Sequence, residues 1–241
     1  RPKMTIQTAE YEYMEGETRC SGLFAWQDAA GPKPCVIVAP AWGGRQAFEN
    51  GRAEKLAELG YVGFAMDIYG EGITGGGVEE NSKLMQPFLD DRALLQRRMQ
   101  AAVAAARADE RVDGDRIAAI GYCFGGLAVL DLARIGADVR GVVSMHGLFI
   151  APGNTAGTGI SAKVLALHGW DDPMVPPDAV VELAKELTEA GADWQLHAYG
   201  HTKHAFSNPE ANDHDLGAVY SPAAERRSWI AATGFLEEVL A

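Results

Sequence analysis

A cysteine stands at the centre of the glycine-rich segment Gly121-Tyr122-Cys123-Phe124-Gly125-Gly126. The residues just before it, 116–120, are typical of a buried strand, and those after it are typical of a helix. This is the G-x-S-x-G pattern of a nucleophile elbow, with a thiol in place of the hydroxyl. Such a sharp turn leaves little room for neighbouring side chains, which explains the glycines. The helix N-terminus would favour a thiolate, so Cys123 is the candidate nucleophile. The alternative is a small buried cysteine that serves packing alone.

Two adjacent carboxylates are candidates for an orienting acid. Asp171 and Asp172 follow the strand predicted over 163–168. Asp172 has the spacing Gly-x-x-Asp-x-x-Val within this segment, which is typical of α/β-hydrolases, and it is therefore preferred over Asp171. Either aspartate could instead begin the turn that leads into the next predicted helix.

Two histidines in one loop are candidates for the base. His204 and His201 both follow the last predicted strand, which covers 193–199. A neutral imidazole in this loop could take the thiol proton on one nitrogen while an aspartate binds the other. We prefer His204 and treat His201 as the rival. The chain order nucleophile, acid, histidine is that of the α/β-hydrolases.

The elements that must position these residues alternate between strands and helices over most of the chain. Buried strands are predicted at 35–40, 61–67, 116–120, 139–145, 163–168 and 193–199, and one long helix at 80–108 is broken near Pro87. This alternation predicts an α/β fold, the α/β-hydrolase fold, in which helices cover both faces of a mostly parallel twisted sheet. We expect one domain over 1–241, with an edge hairpin in 1–30 and the parallel core in 31–241. Each candidate residue follows a strand, so all should meet at the carboxyl edge of the sheet.

An oxyanion hole at this edge would use backbone N–H groups. One would come from Phe124, directly after the nucleophile, and the other from Trp42 in the loop after the strand at 35–40. The pair Gly43-Gly44 would allow this backbone to approach a substrate closely, although an ordinary glycine turn would have the same sequence.

Charge and composition exclude several classes of protein. The 241 residues include 21 basic and 33 acidic side chains, a net charge of −12, which argues against a nucleic-acid partner. No apolar run approaches membrane-spanning length, so no membrane partner is expected. The sequence contains no C-x-x-C pair, and the glycines at 75–77 do not follow a strand in the G-x-G-x-x-G pattern. We therefore expect neither a metal nor a nucleotide cofactor, and the sequence does not indicate an oligomeric state.

The cysteines bear on the cellular compartment. Cys20, Cys35 and Cys123 are too few and odd in number for a disulfide framework, which indicates a reducing compartment. A cytoplasmic location is expected, although a first residue of Arg1 leaves open a removed leader.

With these motifs in place, the chain resembles the dienelactone hydrolase family of the α/β-hydrolase superfamily. The matching segments are Gly-Tyr-Cys-Phe-Gly-Gly at 121–126, Asp-Ile-Tyr-Gly at 67–70, the Gly-x-x-Asp-Pro loop at 169–173 and His-Ala-Phe at 204–206. The resemblance implies Cys123 as nucleophile, His204 as base and Asp172 as orienting acid. It further implies hydrolysis of a small carboxylic ester or lactone through an acyl-enzyme.

The sequence departs from the family pattern at two positions. Ala41 stands where the type enzymes have a glutamate that contacts the thiol, and Asn208 stands where they have an arginine for a substrate carboxylate. Lys83 or Arg92 could compensate for that arginine. The departures favour a neutral or differently shaped ester over dienelactone. Besides Trp42, Ala41 and Asn208, the residues expected to wall the pocket are Tyr69, Phe88 and Phe149.

Two other functions compete with this interpretation. The same triad would serve a thioesterase or a peptidase-like acyl hydrolase. A non-catalytic ligand-binding member of the fold is a further alternative, although a binding module would not need all three residues of a triad.

Overall fold

The computed structural model describes residues 4–241. Its strands are β1 (Ile6–Glu15), β2 (Thr18–Gln27), β3 (Lys33–Ala39), β4 (Val62–Ala65), β5 (Val112–Tyr122), β6 (Gly141–Met145), β7 (Lys163–Gly169), β8 (Trp194–Tyr199), β9 (Asn212–Asp213) and β10 (Ala218–Val219). Its helices are α1 (Ala47–Glu58), α2 (Val78–Asp90), α3 (Arg92–Ala108), α4 (Phe124–Arg134), α5 (Pro177–Glu189) and α6 (Pro222–Val239).

Eight of the strands form one sheet in the order β1-β2-β4-β3-β5-β6-β7-β8. The six strands from β4 to β8 in this order run parallel, as expected for strands joined by helices. β1 and β2 form an antiparallel hairpin at the edge, and β2 pairs antiparallel with β4. The predicted α/β-hydrolase fold is thereby confirmed.

Apolar side chains on both faces of the sheet build two core clusters. One cluster joins the sheet to α2, α3, α4 and α5, and the other joins it to α1 and α6. The central strands are buried along almost their whole length, and all four residues of β4 are buried. Burial on both faces explains why these strands are nearly continuous apolar runs without alternation. No helix within the described residues is both long and apolar enough to cross a membrane.

The structure differs from the sequence-based prediction in two places. The helix predicted over 80–108 is two helices that meet at Asp91, whereas Pro87 lies inside α2. Asp91 leaves the helical conformation, with φ −125° and ψ 85°, and its carboxylate accepts a hydrogen bond from the Leu94 N–H. This capping bond starts the new helix. In addition, the chain beyond the last predicted strand, 193–199, contains the two-residue strands β9 and β10, which are too short to show a periodicity.

Candidate active site

The turn between β5 and α4 places Cys123 in a backbone conformation that is rare for a residue with a side chain, with φ 57° and ψ −115°. Close backbone contacts enforce the turn. A Cβ atom added to Gly121 would lie 1.9 Å from the Gly125 carbonyl oxygen, and one added to Gly125 would lie 2.2 Å from the Ala39 carbonyl oxygen. Only glycine fits at these positions, and the result is a half-buried thiol at the start of a helix.

Hydrogen bonds join the thiol to a histidine and the histidine to an aspartate. His204 Nε2 lies 3.0 Å from Cys123 Sγ, and His204 Nδ1 lies 2.7 Å from Asp172 Oδ2. Both the imidazole and the carboxylate are buried, with side-chain exposures of 3% and 0%. Asp172 also accepts a hydrogen bond from the Met174 N–H at 2.9 Å, which fixes the carboxylate against the ring.

The charges around His204 favour its protonated form. Burial alone would lower the pKa of the imidazole, but the Cys123 thiolate and the hydrogen bond to Asp172 together raise it well above its ordinary value. His204 Nε2 is therefore placed to take the proton of the Cys123 thiol and to hold it. This arrangement can supply both a nucleophile and a proton donor.

The rival residues lie elsewhere. Asp171 is exposed and gives only its backbone N–H to the Thr202 carbonyl, and His201 is an exposed residue of the turn after β8. The structure thus brings Asp172 and His204 to Cys123, and it does not bring Asp171 or His201 there.

A cavity of about 260 Å³ lies over the thiol. Among the residues expected at the pocket, Trp42, Ala41 and Asn208 line this cavity, and Tyr69, Phe88 and Phe149 do not. Its lining is Ala41, Trp42, Gly43, Gly44, Gln46, Phe48, Glu49, Asn81, Met85, Tyr122, Cys123, His146, Leu148, Met174, His204, Ala205, Asn208, Leu216 and Ala218.

Two of the three aromatic residues outside the lining support the cavity wall. The Tyr69 hydroxyl donates a hydrogen bond to the Trp42 carbonyl at 2.6 Å, and the Phe88 ring packs on the Tyr69 ring at 5.6 Å. Phe149 instead packs near His168, with ring centres 5.4 Å apart.

Among the described residues, the cavity lining includes no lysine or arginine. The two cations considered from the sequence are engaged elsewhere. Lys83 pairs with Glu79 on the exposed face of α2, and Arg92 forms a buried two-bond ion pair with Asp131 at 2.7 and 2.8 Å. Neither cation compensates for Asn208.

The two backbone N–H groups expected to form the oxyanion hole have no acceptor within the part of the chain that the structure describes. They belong to Trp42 and Phe124. The Ala41 carbonyl accepts a hydrogen bond from the Gly44 N–H at 3.0 Å, which turns the opposite end of its peptide unit, the Trp42 N–H, away from the turn. Phe124 is the first residue of α4, where an N–H has no partner within the helix.

Sequence reasoning did not single out Glu49 in the cavity lining. Its side chain is 3% exposed, and burial raises its carboxyl pKa to about 7 despite hydrogen bonds from the backbone. It forms a capping box with Gln46 at the start of α1. The usual sequence signature of a capping box has serine or threonine at the first position, so the glutamine here conceals it.

His146 also lines the cavity. It follows β6 with a positive φ of 40°, and its Nε2 lies 2.7 Å from the Ser207 hydroxyl. Burial and the neighbouring His204 lower its pKa, so the ring is neutral beside the charged one. The two ring centres are 5.5 Å apart.

Three features at the carboxyl edge of the sheet define an α/β-hydrolase. They are the nucleophile elbow, the hydrogen bonds that join Asp172, His204 and Cys123, and the cavity over the thiol. The sequence profile of the Dienelactone hydrolase family matches residues 21–240, and the chain belongs to this family. Relatives named for hydrolysis of lactones occur among the similar proteins, and the chain is a hydrolase that acts on ester or lactone bonds.

Individual relatives are similar over nearly their full lengths. A probable 2-oxo-3-(5-oxofuran-2-ylidene)propanoate lactonase of a Bradyrhizobium species is 29% identical and covers 94% of this chain and 93% of its own. An uncharacterized protein of Caenorhabditis elegans is 33% identical over 63% of this chain and 98% of its own. The crystal structure of a dienelactone hydrolase-like promiscuous phosphotriesterase from metagenomic libraries superimposes with a TM-score of 0.92, at 36% identity, over 98% and 99% of the two chains.

Proposed function

We propose that the chain hydrolyses small neutral carboxylic esters or lactones by acyl transfer through Cys123. The observation that carries this proposal is the continuous line of hydrogen bonds from Asp172 through His204 to the thiol, at 2.7 and 3.0 Å, below the cavity. A positioned base and nucleophile of this kind are what covalent acyl transfer requires.

The reaction proceeds in two steps. In the first, Cys123 Sγ bonds to the carbonyl carbon, the bond from that carbon to the leaving oxygen breaks, and the His204 imidazolium gives its proton to the leaving alkoxide. In the second, His204 takes a proton from water as the water oxygen attacks the thioester. The carbon–sulfur bond then breaks, which releases the acid and restores the thiolate. Asp172 stabilises the imidazolium and fixes the ring orientation.

The oxyanion of each tetrahedral intermediate binds the Trp42 and Phe124 N–H groups. Their lack of any other acceptor within residues 4–241 supports this role, because a donor that is already aimed needs no reorganisation during the reaction. Loss of one such donor typically costs roughly 3–4 kcal/mol of barrier height.

The charge around the cavity supports a neutral substrate. The described lining holds no lysine or arginine, Glu49 adds negative charge when it is ionised, and the chain as a whole carries −12. An anionic lactone would enter this cavity without a lysine or arginine as counter-charge and would lose its hydration. A neutral ester avoids that cost.

The test compares wild-type protein with Cys123→Ala and Cys123→Ser on p-nitrophenyl acetate. We expect Cys123→Ala to abolish turnover, and single-turnover mass spectrometry of the wild type to show one acetyl group on Cys123. A Cys123→Ala protein with undiminished hydrolysis would refute the proposal.

A second candidate is the hydrolysis of neutral phosphotriesters. It is favoured by the similarity at 36% identity to a promiscuous phosphotriesterase and by the same lack of lysine and arginine in the cavity lining within the described residues. Diethyl p-nitrophenyl phosphate tests it directly. Turnover that Cys123→Ala removes would support it, and no turnover above the buffer rate would reject it.

A further inference from the structure

The oxyanion loop, residues 40–46 between β3 and α1, is bound at both of its ends by one buried carboxylate. Glu49 Oε2 accepts a hydrogen bond from the Gln46 N–H at 2.9 Å, and Glu49 Oε1 accepts a longer one from the Ala41 N–H at 3.4 Å. A helix cap requires only the first of these bonds. The second reaches back to the residue directly before Trp42.

We propose that Glu49 is a positioning residue that holds the oxyanion loop in the conformation in which the Trp42 N–H can bind the oxyanion. The proposal rests on the function proposed above. Glu49 would act through the backbone of the loop, and the reacting atoms would bind the N–H that it positions.

The other tethers of the loop act at different atoms. Tyr69 binds the Trp42 carbonyl at 2.6 Å, and the Gln46 side chain binds the carbonyls of Gly43 and Gly75 at 3.2 and 2.9 Å. These bonds hold the part of the loop after Trp42. The peptide unit that contains the Trp42 N–H is itself held by the Gly44 N–H, which donates to the Ala41 carbonyl at 3.0 Å, and Glu49 holds the peptide unit before it. Loss of this carboxylate would therefore loosen the loop on the side that leads into Trp42.

The strength with which Glu49 binds the oxyanion loop depends on whether its carboxylate is protonated. Glu49 is buried and forms no ion pair among the described residues. Arg45, whose charge favours the ionised form of Glu49, is paired with Glu10, and Arg52 on the same helix is paired with Glu225. Burial raises the pKa of Glu49 to about 7. As the pH falls through this value, the carboxylate gains a proton and loses strength as an acceptor for the two N–H groups. Activity should therefore decline on the acid side of about pH 7.

Two other titratable groups that face this region do not produce the same decline. Tyr122 from β5 has a pKa that burial raises to about 12, and the pKa of His146 lies well below its ordinary range. His204 must be neutral when it takes a proton from water, and in the acyl-enzyme it lacks the thiolate that raises its pKa, so it contributes an acid limb of its own. The signature of Glu49 is therefore the change in the acid limb that Glu49→Gln causes.

The test is Glu49→Gln, with Glu54→Gln on the exposed side of α1 as the matched control. Because complete loss of an oxyanion donor lowers kcat about 10²–10³-fold, we expect a displaced donor to lower kcat about tenfold with little change in KM. The part of the acid limb that Glu49 contributes near pH 7 should disappear from the pH profile. Alkylation of Cys123 by iodoacetamide forms no oxyanion, so its rate should stay within about twofold of the wild type. Glu54→Gln should match the wild type throughout.

Two results would overturn the proposal. One is a folded Glu49→Gln protein with wild-type kcat and an unchanged acid limb. The other is an equal loss of alkylation and hydrolysis, which would mean that Glu49 acts on the thiol. If Glu49→Gln does not fold, Glu49→Asp replaces it and must show the same loss of kcat with unchanged alkylation. A Cys123→Ala protein that remains active would instead refute the proposed function itself, so the two failures are distinguishable.

Discussion

His204 Nε2 lies 3.0 Å from Cys123 Sγ, although 81 residues separate the two in the chain. The turn after β5 brings the thiol to the carboxyl edge of the sheet, and the loop after β8 carries the imidazole back over it. The histidine is fixed in turn, because its backbone N–H donates to the Gly217 carbonyl and its carbonyl accepts from the Val219 N–H. The pair is thus held by two independent parts of the fold, and its charge state can be tested directly.

Cys123 should react rapidly with iodoacetamide even at pH 6. A free cysteine is only about 0.3% thiolate at that pH, whereas the His204 imidazole, 3.0 Å from Cys123 Sγ, is placed to take the thiol proton. We expect alkylation at least about tenfold faster than that of glutathione, and a fall toward the glutathione rate in His204→Gln. The rate is measured by quenched mass spectrometry of the intact protein.

The two other cysteines provide an internal control for this measurement. Cys20 and Cys35 are fully buried, and burial raises the pKa of Cys20 to about 11 and that of Cys35 further. Alkylation should therefore stop at one adduct per chain, located at Cys123. A rate equal to that of glutathione would contradict the charged pair.

Asp172→Asn should lower kcat by roughly 10³–10⁴-fold, because the amide leaves the imidazole with the wrong tautomer and without a counter-charge. The neighbouring Asp171→Asn is the matched control, since Asp171 is exposed and its carboxylate has no hydrogen bond to the histidine. Steady-state hydrolysis of p-nitrophenyl acetate measures both variants. A comparable loss in Asp171→Asn would show that the assignment of the acid is wrong.

The sequence predicted those parts of the fold and site that depend on local pattern. The elbow at 121–126 has glycines because a Cβ atom on Gly121 or Gly125 would collide with neighbouring backbone atoms. That steric requirement is visible in the sequence. Buried parallel strands such as β3 and β7 are visible as apolar runs. The preference for His204 over His201 and for Asp172 over Asp171 came from spacing, and the structure places the preferred residues beside the thiol.

The cavity wall could not be predicted in the same way, because it depends on contacts between distant segments. The side chains of Tyr69 and Phe88 are packed in the core and do not line the cavity. The Tyr69 hydroxyl binds the Trp42 carbonyl, and the Phe88 ring packs on the Tyr69 ring, so both residues support the cavity wall. Glu49 has the sequence context of an ordinary surface position in the first turn of a helix. Its burial follows only from the way the loop before α1 folds over it.

Asn208→Arg should shift the preference of the enzyme toward anionic esters. Asn208 lines the cavity, which has no lysine or arginine among its described residues, so an arginine there would provide the missing counter-charge. We expect the ratio of kcat/KM for a monoester of succinate to that for the corresponding butyrate ester to rise about tenfold, or about 1.4 kcal/mol.

Asn208→Gln is the control for that substitution, since it adds length without charge. Its selectivity ratio should stay near that of the wild type. A ratio that is unchanged in Asn208→Arg as well would show that the carboxylate of such a substrate does not approach this side of the cavity.

Asp131→Asn should destabilise the fold far more than its distance from the thiol suggests. Asp131 is fully buried and binds Arg92 at 2.7 and 2.8 Å and Arg134 at 3.2 Å. Both arginines also donate to carbonyls of the loop after β6, at Phe149 and Ile150. Removal of the charge leaves two buried guanidinium groups without this counter-ion, which costs about 3–5 kcal/mol. Urea unfolding followed by tryptophan fluorescence measures the loss.

Lys83→Ala, which breaks an exposed ion pair with Glu79, should change the free energy of unfolding by less than about 1 kcal/mol. Equal effects of the two substitutions would mean that Glu186, the other partner of Arg134, suffices to balance the buried charge.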